Sequence, residues 1–241
     1  MARQPRFVAL RQPHLIEQSA LDGVELFRDK DDFVSFLALL KDSAKVNNVP
    51  IHCYSLLPAR LNILATPETT DSLSRLMQWI GRRYVPYYNG KYGRTGTLWR
   101  ARFRASAVDP ASHVLMAHRF IEECPVREGL AVAANEYSWS SFNSHAGVAR
   151  EPMLTPHAAY WALGNTPFER EIAYRLMFEH TLPAADVSSM NRALLGGRPI
   201  GPRSFAESLE KQAGRRLTPG LRGRPRRPDP DRTEGITSVP N

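Results

Sequence analysis

The sequence predicts an α+β fold, a ferredoxin-like antiparallel sheet with helices on one face. Three observations carry that expectation. Short strand-like apolar runs stand at 6–18, 49–58, 60–67 and 96–109. Segments of helical period lie between the first and second runs, between the third and fourth, and after the fourth. The resulting order is strand, helix, strand, strand, helix, strand, helix, which suits a sheet closed by helical crossovers.

Each element has its own warrant. "RFVALRQPHLIEQ" reads as a strand region interrupted by Pro13. "FRDKDDFVSFLALLKDSAKVNN" opens with acids, favourable at a helix N-terminus, and then sets Phe33, Phe36, Leu37 and Leu40 on one face. "VPIHCYSLLP" and "RLNILATP" are two strands hinged at Pro58 and Ala59. In the second of them Arg60 and Asn62 share a face, because strand side chains alternate. "TTDSLSRLMQWIGRRYVPYYNGKYG" is a second helix with Asp71 as its cap. Leu73, Leu76, Met77 and Ile80 form its apolar face, and Pro86 is expected to kink or end it. "GTLWRARFRASAVD" is a loop leading into a strand. "DPASHVLMAHRFIEECP" is a third helix, with Asp109 as cap, Pro110 at its first position and Pro125 as stop. Trp139 in "YSWSSF" is expected to anchor the following segment onto the core.

From about residue 151 the pattern changes to short helical pieces. The expected layout is one domain over 1–150, a helical extension over 151–214 and a disordered basic tail over 215–241, rich in Pro, Gly and Arg. No internal repeat is visible. Two cysteines, Cys53 and Cys124, suggest neither a disulfide framework nor a zinc knuckle, and buried thiols are expected. His52, His113 and His118 make a weak metal set, since His113 and His118 are five apart on a helix. No bound metal or cofactor is therefore expected. The N-terminus does not read as a secretion signal, and no apolar run reaches the length of a membrane span, so a cytoplasmic protein is expected.

The net charge is +8 and the sequence pI near 9.8. A chain this basic commonly meets a polyanion, most often nucleic acid. The charge is placed unevenly: Arg82, Arg83, Lys91, Arg94, Arg100, Arg102 and Arg104 fall in a span without Asp or Glu. Tyr84, Tyr87, Tyr88, Tyr92, Trp99 and Phe103 are interleaved with them. Cations bind phosphates and flat rings stack on unpaired bases, so these cations with Tyr84 are the candidate DNA contacts. For Trp99 and Phe103 a core placement stands equally open. In the tail, Arg222-Gly223-Arg224-Pro225 resembles an AT-hook, a core that lies in narrow A·T-rich minor grooves.

With these stretches on the page, the chain resembles the HUH single-strand tyrosine transposases, in particular their REP-associated, insertion-sequence-like branch. The resemblance rests on the four strand regions quoted above, on "LSRLMQWIGRRYVPYYN", "RFIEECPVREGL" and "YSWSSF", and later on "HAAYWALG" and "GRPRR". It implies binding of single-stranded or hairpin DNA and cutting by a tyrosine on the third helix. It also implies a divalent ion, Mg²⁺ or Mn²⁺, held by two histidines at i and i+2 on a strand, a polar residue one turn after the tyrosine, and a possible homodimer. The family's histidine positions fall on Arg60 and Asn62, its tyrosine on Phe120 and its metal-site amide on Cys124. A guanidinium does not coordinate a metal, and a phenyl ring has no hydroxyl to esterify. The leading expectation is a DNA-binding, transposition-related protein without catalytic residues. The rivals are a transposase working by an atypical route and an RNA- or protein-interaction module.

Overall fold

A computed structural model describes residues 6–218. Its core elements are β1 (His14–Ser19), α1 (Lys30–Val46), β2 (Ile51–Leu57), β3 (Arg60–Ala65), α2 (Ser72–Tyr92), β4 (Arg104–Ala107) and α3 (Val114–Glu122). The four strands form one antiparallel sheet in the order β2-β3-β1-β4. The α+β class and the ferredoxin-like strand order follow the expectation.

The helices do not keep to one face. On one side Ile16, Leu56, Leu61 and Ile63 pack against Phe36 and Leu40 of α1 and Leu76, Ile80 and Tyr84 of α2. On the other, Leu15, Cys53 and Leu64 pack against Val114, Ala117, Phe120 and Ile121 of α3. The reason is local: β2 is buried at every position, and β3 at all but Arg60. Strands apolar on both sides require cover on both sides.

The helix ends are set by backbone chemistry. Asp29 caps α1, its side chain accepting from the Asp32 N–H at 3.1 Å. Asp71 occupies the cap position of α2 but binds Thr69 and Arg75 instead. Pro86 neither ends nor splits α2, which runs on to Tyr92. The proline is exposed, so water can reach the Arg82 carbonyl that loses its N–H partner. Gly93, with φ +62°, closes the helix in the left-handed conformation. Asp109 holds a turn ahead of α3, accepting from the Ser112 N–H at 3.1 Å, and α3 itself begins at Val114. Pro125 does not stop α3; it sits in the first turn of the short α4 (Cys124–Arg127).

Beyond these lie α5 (Phe142–His145), α6 (Ala158–Trp161), α7 (Pro167–Leu176), α8 (Ala184–Gly196) and α9 (Arg203–Ala213). Trp139 anchors its segment as expected, stacked on Phe33 with centroids 4.3 Å apart. The helices after residue 151 are sewn to the sheet. Met190 and Leu194 of α8 join the core beneath Leu15, and the backbone of Ile200 bonds Ala107 and Asp109 at 2.8 Å each. Arg222 and Arg224, the AT-hook expectation, lie outside the described residues. Among the described residues no helix is long and apolar enough to cross a membrane.

Candidate nucleic-acid interface

The α3-facing side of the sheet brings Arg60, Asn62 and Cys124 together. Arg60 Nη2 donates to Cys124 Sγ at 2.8 Å, and Asn62 Nδ2 lies 3.6 Å from the same sulfur. Phe120 is buried in the core under this face, with the Arg127 guanidinium 5.0 Å from its ring centre. The four positions singled out by resemblance therefore share the α3–sheet interface. Arg60 is already neutralised: it pairs with Glu128, and Glu17 lies 3.9 Å away. Glu17 also binds Arg104 at 3.0 Å. Burial works against the Arg60 charge, but Cys124, Glu128 and Glu17 outweigh it and hold its pKa above the ordinary value. Burial likewise raises the Cys124 pKa, against the pull of Arg60 and Arg127, so this sulfur stays a thiol and is not an activated nucleophile.

This residue set does not fit the divalent ion of the resembled family. A ligand must offer a free lone pair, whereas here a guanidinium, which has none, holds one of the two histidine positions and engages both neighbouring carboxylates. Asn62 Oδ1 and Ser55 Oγ are buried without a hydrogen-bond partner among the described residues.

The basic span from Arg82 to Arg104 divides when folded. Tyr84 is no DNA contact: it is fully enclosed, and its hydroxyl donates to the Leu26 carbonyl. Lys91 is no free cation, since Asp29 and Asp32 hold it at 2.7 and 2.9 Å. Arg104 is tied to Glu17, and Arg100 lies 3.6 Å from Asp22. Arg94 has one guanidinium nitrogen buried without a partner among the described residues. Arg83 lies flat on Trp79, 3.7 Å from the ring centre. Arg82 and Arg102 are exposed and form no ion pair among the described residues.

These two arginines flank a groove around β4, the edge strand. A cavity of about 710 Å³ lies between α2 and the 96–103 loop. Met77, Val85, Trp99 and Phe103 make its walls, and Arg6, Arg82 and Arg102 are its cations. A second cavity of about 270 Å³ shares Arg6, Arg102 and Phe103 and adds Arg104, Arg215 and Arg216. No Asp or Glu lines either cavity. Arg6 is fixed there, its Nε donating to the Phe103 carbonyl at 2.9 Å with its guanidinium over that ring. Sequence reasoning missed Arg6, Arg215 and Arg216, which lie about two hundred residues apart along the chain. Only the fold joins them.

No protein-family model and no curated protein sequence matches the chain. Solved structures do. One is a REP-associated tyrosine transposase bound to a REP hairpin, with a TM-score of 0.53 at 15% identity, covering 64% of this chain and 90% of that one. Another is a candidate transposase from Deinococcus radiodurans, with a TM-score of 0.36 at 16% identity, covering 46% of this chain and 88% of that one. By the first of these, the chain shares a transposase-like fold.

Proposed function

We propose that this protein binds hairpin or single-stranded DNA along the β4 groove and does not cut it. The observation that carries the reading is the groove itself: exposed Arg82 and Arg102 beside the half-buried Trp99 ring, with no acid among the lining residues. A backbone phosphate there meets Arg82 and Arg102, which form no ion pair among the described residues, and an unpaired base meets Trp99. The hairpin held by the fold neighbour supports DNA as the partner class. The absence of cutting rests on Phe120, which offers no hydroxyl, on the protonated Cys124 thiol and on the guanidinium at position 60.

The test is a labelled single-stranded hairpin oligonucleotide offered to the full chain with Mg²⁺ or Mn²⁺. A mobility shift is expected whose log affinity falls linearly with log salt, with a slope of roughly −0.7 per phosphate contact. The denaturing gel is expected to show intact oligonucleotide. A covalent protein–DNA adduct would overturn the non-cutting reading, and preference for RNA of matched length would move the partner from DNA to RNA.

A further inference from the structure

Deeper along the α3-facing side of the sheet lies a second cluster with no part in the reading above. Cys53 of β2 and His118 and Glu122 of α3 each offer one ligand-type atom, all within 4.8 Å of one another. All three residues are completely buried. His118 and Glu122 are four apart on α3 and so share one helix face, and Cys53 stands on the strand that this face covers.

The hydrogen bonds around the cluster fix the state of its imidazole. Tyr174 of α7 donates its only proton to Glu122 Oε2. Its oxygen can therefore only accept from His118 Nδ1, 3.1 Å away. The His118 proton is thus on Nδ1, and Nε2 keeps a bare lone pair, buried and without a partner among the described residues. His145 of α5 repeats the pattern: Nδ1 lies 2.9 Å from Glu122 Oε1, and Nε2 is again buried and unpartnered among the described residues. An imidazole pinned through one nitrogen by a carboxylate or hydroxyl, with the other left bare, is the arrangement that presents histidine to a metal. A well-satisfied core carboxylate accounts for the Glu122 bonds but not for the empty Nε2 of His118 beside Cys53 and Glu122.

We propose that Cys53 Sγ, His118 Nε2 and a Glu122 oxygen form a buried site for a divalent transition ion of the Zn²⁺ and Co²⁺ class. His145 and Tyr174 are positioning residues that orient Glu122 and His118. The mixed sulfur, nitrogen and oxygen donor set suits such borderline ions and not Mg²⁺ or Ca²⁺. Bond lengths of about 2.0 to 2.3 Å place tetrahedral ligand atoms roughly 3.5 Å apart, so ligand-type atoms standing as much as 4.8 Å apart draw together on binding. The hydrated ion enters as the chain folds, the Cys53 thiol gives its proton to solvent, and the sulfur binds as thiolate. The ion would clamp α3 to β2, with Glu122 tying in α5 and α7.

The test is independent of nucleic acid. Full-length protein stripped with a chelator is titrated with Co²⁺ and followed by absorption. One equivalent should bind and give a thiolate-to-cobalt charge-transfer band, lost in Cys53→Ser and kept in Cys124→Ser. Zn²⁺ should raise the Tm of the wild type and not that of Cys53→Ser, and His145→Gln should bind about 10–100-fold more weakly. If the stripped chain unfolds, recovery of its circular dichroism with one equivalent of Zn²⁺ supports the site equally. No stoichiometric binding to the wild type would overturn the proposal, as would a band that survives Cys53→Ser or vanishes in Cys124→Ser. Should Cys53→Ser fail to fold, His118→Gln decides: a Zn²⁺-dependent Tm shift as large as that of the wild type sinks the proposal.

Discussion

The pocket at Arg60 and the groove at β4 are both built on arginine, and they differ in what accompanies it. Arg60 lies against Cys124 with Glu17 and Glu128 as counter-charges, and its side chain is only 30% exposed. Arg82 and Arg102 stand in the open, and the cavities they line contain no acid. A cation whose carboxylates fold with it serves the fold. A cation left without one remains available to a phosphate. Lys91 makes the same point inside the basic span, where two aspartates from the start of α1 claim it.

The largest expected effect concerns what holds the groove together. His14 is buried in β1, and its Nδ1 lies 2.7 Å from the Gln12 carbonyl, to which it donates. Its Nε2 accepts the Ala9 N–H at 3.2 Å, which ties down the segment that carries Arg6. Burial lowers its pKa to about 4, against the opposing bond to Gln12. The folded state therefore binds fewer protons than the unfolded state between pH 6.5 and 4. Stability should fall as pH drops through that window, by about 3 kcal/mol in all from this group. Urea midpoints of the wild type and His14→Gln, measured from pH 7 to 4, isolate the contribution. Parallel curves would show that His14 does not pin the segment.

Next in size is the groove itself. Arg82→Gln with Arg102→Gln should weaken hairpin binding about 10–100-fold and flatten the salt slope by about 1.4, two single-strand phosphate contacts. The Tm should stay put, since neither side chain forms an ion pair among the described residues. Arg60→Gln should do the reverse. It leaves Glu17 and Glu128 short of a cation and should cost about 1–2 kcal/mol of stability while DNA affinity holds. Loss of affinity in Arg60→Gln would erase the distinction between the two regions and place a phosphate in the Arg60 pocket.

The strand order and the helix faces were legible because each rests on local periodicity, as at Phe33, Phe36 and Leu40 in α1. So was the shared neighbourhood of Arg60, Asn62, Phe120 and Cys124, through the resemblance. Cover on both faces was not legible, because β2 carries His52 and Ser55 among its apolar residues, yet every one of its positions is buried. The fates of Tyr84 and Lys91 were not legible, because their partners Leu26, Asp29 and Asp32 lie some sixty residues away. The same holds for Arg6 beside Arg215 and for Cys53 beside His118. Charge without a local periodic signal declares its role only once the chain has closed.

The smallest effect separates stacking from phosphate contact within the groove. Gly81 lies inside α2 and lines the larger cavity, and a Cβ there would meet only Trp99 Nε1 at 3.5 Å, an ordinary contact. Nothing strains the backbone, so Gly81→Ala should stabilise the protein by about 0.5–1 kcal/mol through helix propensity and a less flexible unfolded chain. The added methyl also stands where a base must slide against Trp99. If bases enter the cavity, Gly81→Ala raises the Tm and weakens hairpin binding by a few-fold, with the salt slope unchanged because no cation is lost. If the Tm rises and affinity is untouched, the groove holds DNA by its backbone alone, and Trp99 belongs to the core.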